Sequence, residues 1–124
     1  MSEDGAKLRT FPLDQFASVT LDGNGNGLAS LGPTRVKEHW QPISTYVSVS
    51  SNTKEATAKL SIGTTAQTAT NQATTALGST GDTCGTPGAD MPAGYRLFVQ
   101  WEGGDPGALA TMHTLGQIVF GYGQ

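Results

Sequence analysis

The chain has 124 residues, of which 36% are apolar and 14% charged, and it carries a net charge of −3. That is one domain's worth of chain, long enough to bury a single core. It is too poor in Leu, Glu and Lys for a helical bundle, too poor in charge for a disordered segment, and without the run of about 18 apolar residues that a membrane span needs.

The first residues, Met1 to Phe11, lack the basic start and apolar stretch of a secretory leader. Residues 1–15 show no clear period, and Phe11-Pro12-Leu13 is extended because the residue before a proline is pushed out of the helical region. This stretch is expected to be an N-terminal arm, with Leu8, Phe11 and Leu13 as candidate docking residues for a neighbouring subunit.

From residue 16 to residue 124 the pattern is that of short strands. Ala17, Val19 and Leu21 alternate with Ser18 and Thr20. Ala29 and Leu31 lie opposite Leu28, a weaker alternation. Ile43, Thr45, Val47 and Val49 share one side, as do Ala56, Ala58, Leu60 and Ile62, and then Tyr95, Leu97, Val99 and Trp101. Two runs, Leu109–Gly116 and Gln117–Gly123, close the chain. Period two over many short runs separated by turn residues predicts an all-β fold, a single antiparallel β-sandwich or jelly-roll-like domain with an extended N-terminal arm. Residues 64–94 interrupt the pattern with a polar Thr/Ala/Gly-rich excursion, a surface segment with room for one or two polar strands or a short Ala/Thr helix near residues 67–77.

The stretch from Leu21 to Pro33 reads at first as the opening of a calcium loop, with Asp22, Asn24 and Asn26 alternating with Gly23, Gly25 and Gly27. Counted from Asp22, the twelfth position, where such a loop places a bidentate Glu, is Pro33. The flanks are strands rather than helices. Asn and Gly also tolerate the positive φ of tight turns, so these six residues are expected to be the turn of a hairpin. Asp105, Pro106 and Gly107 form a second turn. No metal and no cofactor is expected.

The remaining candidates for chemistry lack their partners. His39 and His113 are not in a metal-ligand spacing, and Cys84 has no cation near it in sequence to lower its pKa. With one cysteine there is no intrachain disulfide, which fits folding in a reducing cytoplasm. The Gly-rich stretch Gly78–Gly88 lacks the lysine of a phosphate loop. Lys7, Arg9, Arg35, Lys37, Lys54, Lys59 and Arg96 are scattered in sequence with no patch or stripe, so no nucleic-acid partner is expected, and no membrane. Trp40, Tyr95 and Trp101 are candidate core aromatics; an exposed Trp40 or Tyr46 would instead suit a carbohydrate-binding module. Glu102 and Asp105 do not form the paired carboxylates of a glycosidase in any visible way. The chain is expected not to be an enzyme.

The succession of the Gly-rich turn with Leu31-Gly32-Pro33, then Glu38-His39-Trp40, then Trp101-Glu102-Gly103-Gly104-Asp105-Pro106-Gly107 resembles small β-sandwich virion structural proteins of tailed actinobacterial bacteriophages, over about Phe16 to Gly116. The resemblance implies a virion protein that decorates or stabilises the capsid surface, with the major capsid protein or other virion proteins as partners and a homo-oligomer, trimer or ring, as its form. A minor tail component is the alternative within that family. The shared residues are turn and core residues, so the resemblance implies no catalytic site.

Overall fold

The first strand begins earlier in the chain than residue 16. In the computed structural model, which describes residues 9–65, 71–75, 78, 82–84 and 90–121, strand β1 runs from Arg9 to Thr20 and pairs with the last strand over its whole length. The strands that follow are β2 (Gly27–Leu31), β3 (Glu38–Val49), β4 (Thr57–Gly63), β5 (Asn71–Thr74), β6 (Asp82–Thr83), β7 (Arg96–Glu102) and β8 (Leu109–Phe120). No helix occurs among the described residues.

The division drawn between residues 15 and 16 therefore falls inside a strand. Leu13 is buried in the core rather than free to dock, because odd positions of β1 face inward. Phe11 is half-exposed and sits edge-on to Phe120, with ring centroids 5.8 Å apart. Leu8 lies outside the described residues. So does much of the excursion at 64–94, whose described part includes β5 and β6.

The strands form two antiparallel four-stranded sheets, β1-β8-β3-β6 and β2-β7-β4-β5. The first strand pairs with the eighth, the second with the seventh, the third with the sixth and the fourth with the fifth. The chain is thus one long antiparallel ribbon, wrapped so that β8 also pairs with β3 and β7 with β4. This is the strand order of an eight-stranded jelly roll, a double sheet that buries one face of each layer.

Trp101, Leu97 and Val99 of β7 fill the middle of the core from one side, against Val47, Val49, Ala110 and Met112 from the other. Trp101 is flanked in register by two small residues, Gly27 and Ala58, and the side chains of Val19 and Leu21 close over Gly27. A Thr-rich chain also places threonines inside: Thr45 and Thr114 face each other across β3 and β8 with their hydroxyls 3.1 Å apart, so that each satisfies the other. Tyr95 does not join this core. It stands beyond the last pairs of β7, Leu31 with Leu97 and Gly63 with Arg96, so no second layer covers it and it remains 40% exposed.

β3 changes phase midway. Glu38, Trp40 and Pro42 point inward, and then Thr45, Val47 and Val49 do. Pairing with β8 shifts between Pro42 and Ser44, leaving Ile43 as the extra residue of a bulge. One inserted residue turns every later side chain to the other face. Ile43, expected on the inner side with Thr45, is thereby turned out and is exposed. Gly116 lies opposite; a Cβ there would come within 2.3 Å of the Gln41 carbonyl oxygen, so the bulge requires glycine at that position.

Candidate interaction surface

The two sheets differ in length. β1, β3 and β8 have 12 residues each, whereas β2, β4, β5 and β7 have 5, 7, 4 and 7. At about 3.3 Å per residue the long sheet spans roughly 40 Å and the short one little more than half of that. The long sheet therefore exposes its whole outer face, and also part of its inner face where it overhangs.

The outer face is ordered in rows by the β1–β8–β3 register. Ser18 lies beside Thr111, with hydroxyls 3.0 Å apart. In the next row Phe16, His113 and Tyr46 stand side by side. The Phe16 ring is stacked on the His113 ring at 3.9 Å and 11°, and Tyr46 is tilted against the same imidazole at 6.3 Å. Then come Asp14 and Leu115, and Gln117 donates to Gln41 in the row after that. Asp14 Oδ1 is 2.5 Å from Nε2 of His113, which fixes the ring against Phe16. Phe16 is 62% exposed, and Ile43 and Tyr46 are exposed nearby. The outer face of the short sheet carries Lys59 paired with Glu102 at 2.9 Å, Gln100 and a half-buried Phe98, with Leu28 as its exposed large apolar residue among those described.

At one end of the long sheet the overhang forms two adjoining hollows of about 380 and 350 Å³ that share Phe11, Arg35 and Phe120. Arg9 and Lys37 line one and Glu38 and Ile118 the other. Arg35 lies over the Phe120 ring at 5.5 Å, a cation–π contact. Glu38 is buried and accepts a 2.7 Å hydrogen bond from Nε1 of Trp40. Three of the seven cations that look scattered in sequence thus meet in space. Trp40, inward-facing and buried by this arrangement, offers no surface for a sugar ring.

At the other end three loops are tied together. Asp22 Oδ1 accepts from the backbone N–H groups of Asn24 at 2.8 Å and Asn26 at 3.0 Å. β1 and β2 belong to different sheets, so the loop at Asp22–Asn26 is an arch between layers and not the turn of a hairpin. Of its glycines, Gly25 has positive φ, +77°, and Gly23 does not. The arch docks on the β7–β8 loop through Gly104 N–H to Gly25 carbonyl, 3.0 Å, and Gly103 N–H to Asn26 Oδ1, 3.2 Å. In the β7–β8 loop Pro106 and Gly107, the latter at φ +80°, make a turn closed by the Ala108 N–H on the Asp105 carbonyl. The Asp105 carboxylate reaches across to the Thr53 hydroxyl at 2.6 Å and the Asn52 N–H at 2.8 Å. The Asp22 carboxylate thus shapes its own loop, and the Asp105 carboxylate ties the β7–β8 loop to the β3–β4 loop.

This gives both carboxylates a structural job and a pH signature. The backbone N–H groups of Asn26 and then Asn24 hold Asp22 below the usual carboxylate range. The Thr53 hydroxyl, followed by the Asn52 N–H, does the same for Asp105. A depressed folded-state pKa contributes stability above the unfolded value, about 3.9, which is lost as pH falls through the folded value. The melting temperature should therefore fall as pH drops below about 4, and less steeply in the Asp22→Asn/Asp105→Asn double variant. Because the Asp22 carboxylate is engaged by its own loop, millimolar calcium should leave the wild-type melting temperature unchanged; a clear upward shift would restore the metal reading.

Cys84 is buried, its Sγ 3.5 Å from the Ala58 carbonyl, and desolvation pushes the thiol up to about 11. Such a thiol is inert. His39 pairs with Asp90 at 2.8 Å and His113 with Asp14, so the two histidines are in separate contacts and do not share a site. Among the described residues, no three His, Cys, Asp or Glu side chains come together as a metal cluster would require.

No family model and no curated protein matches the chain. Solved structures similar to it include a chain of Desmodium yellow mottle tymovirus, 10% identical over 94% of this chain and 88% of that one, with a TM-score of 0.49. Turnip yellow mosaic virus supplies two more, at 11% identity, 94% and 82% coverage and TM-score 0.47, and, at 100 K, at 9% identity, 94% and 94% coverage and TM-score 0.47. At these values the likeness says nothing about what this chain does.

Proposed function

We propose that the chain is a non-enzymatic structural subunit of a virion, one that decorates or stabilises the capsid of a tailed bacteriophage by laying the outer face of its long sheet against other virion proteins. The observation that carries this reading is the asymmetry between the two outer faces. Phe16, Ile43 and Tyr46 are exposed on a hydrogen-bonded sheet, while the opposite face bears the Lys59–Glu102 pair and exposes Leu28 as its large apolar residue among those described. Exposed apolar groups gathered on one face mark an interaction surface. Three strands of this length present roughly 40 by 15 Å, or about 600 Å², close to one partner's share of a standard protein interface. The resemblance of the turn and core motifs to phage virion proteins supplies the setting.

The docking role expected of the arm passes, in this proposal, to the sheet, because Leu13 is committed to the core. A carbohydrate platform is less well served. A sugar stacks on the face of an aromatic ring, and one face of Phe16 is taken by His113. Phe16→Asp should leave folding intact and abolish incorporation into particles; incorporation at the wild-type level would remove this face from the interface. Quenching of the tyrosine or tryptophan fluorescence by host-wall polysaccharide, lost in Tyr46→Ala, would favour the sugar reading instead.

A further inference from the structure

The overhang at the Phe11 end of the long sheet has no role in that interface. Its walls are apolar: Phe11, Ile118 and Phe120 project from the inner face of β1 and β8 beyond the reach of the short sheet. Its rim is cationic: Arg9 from β1, and Arg35 and Lys37 from the β2–β3 loop. Its base holds one carboxylate, Glu38, engaged by the Trp40 indole. A net-negative protein has concentrated positive charge around an apolar hollow.

We propose that this hollow is an acceptor site for an acidic peptide segment of another protein subunit, which places an apolar side chain against the Phe11–Phe120 pair and its carboxylates on Arg35 and Lys37. The chemistry divides the ligand in this way. The hollow is large enough for one or two side chains, and apolar walls gain only from an apolar body. Arginine forks at the rim match carboxylates in two-point geometry. A nucleic-acid strand would have to stack a base on a ring, and Phe120 already carries Arg35 over its face and packs against Phe11. An extended segment also suits the place, because β1 is the terminal strand of its sheet and a chain can run alongside it.

The source of the segment rests on the assembly role proposed above; the site itself does not. The test is fluorescence anisotropy at low salt with a labelled peptide, Gly-Ser-Glu-Leu-Asp-Phe-Glu-Gly, its Gln/Asn counterpart and a labelled oligothymidylate. The acidic peptide should bind saturably, about tenfold more tightly than the neutral one, and weaken as salt is raised. Arg35→Glu/Lys37→Glu, at two exposed loop positions that leave the core untouched, should weaken it by about tenfold or more. Absence of saturable binding, equal affinity for the neutral peptide, an unaffected double variant, or oligothymidylate displacing the peptide would overturn the proposal. Peptide binding by a chain absent from particles would uphold the site and end the virion reading; particle incorporation without peptide binding would do the reverse.

Discussion

Trp101→Ala is expected to destabilise the protein by about 3–5 kcal/mol, the range for removing a fully buried aromatic from a core. Trp101 has no exposed surface, and its neighbours in register, Gly27 and Ala58, are too small to fill the space it would leave. A domain of this size has only about 5–15 kcal/mol in hand, so a large fraction of the variant should be unfolded at modest denaturant. Trp101→Phe should behave very differently. Trp101 Nε1 is a buried donor without a hydrogen-bond partner among the described residues, and leaving such a donor unsatisfied costs about 1–3 kcal/mol. Phenylalanine loses some contact area but removes that donor, so the net loss should be under about 1.5 kcal/mol. Urea denaturation of both variants decides the matter; equal losses would mean that the indole N–H is satisfied and the packing argument incomplete.

Gly25→Ala should cost about 2–4 kcal/mol, from the left-handed backbone and the displaced neighbour together. Its φ is +77°, and a Cβ would fall 1.9 Å from the Gly104 carbonyl oxygen. The substitution would push the β1–β2 arch off the β7–β8 loop and break the Gly104 to Gly25 hydrogen bond. Gly23→Ala, two residues earlier, meets nothing within 4 Å and has no positive φ, so it should change stability by less than about 0.5 kcal/mol. Thermal unfolding of the pair tests the docking of the two loops. If the two substitutions cost the same, the arch does not pack as described.

That pair also shows where sequence reading stops. Asp22, Asn24 and Asn26 with their glycines announce a turn, and Pro33 argues against a calcium loop. Nothing in the residues distinguishes a turn between paired strands from an arch between layers, because both need the same backbone freedom. Alternation was legible where a strand is regular, as at Leu97, Val99 and Trp101. It misled at Ile43, where an inserted residue changes the phase and only the pairing of Pro42 and Ser44 with β8 reveals it. Tyr95 continued the alternation past the end of its sheet. Phe11-Pro12-Leu13 was read as extended, but not as paired, because a strand at a sheet edge tolerates proline.

The interaction surface was hidden for a related reason. Phe16, Tyr46 and His113 are 30 and 67 residues apart in the chain, and only the β1–β8–β3 register sets them in one row. Arg9, Arg35 and Lys37 gather because β1 and β3 flank β8 at the same end. Topology, not composition, concentrates both features.

The central claim is that this chain is a structural part of a particle, held there by the outer face of its long sheet. The most direct measurement is the number of copies of the chain per purified particle, relative to the major shell protein. The account predicts a fixed stoichiometric ratio that follows the shell lattice. A few copies per particle would move the chain to the tail or a vertex, and its absence from particles would contradict the account.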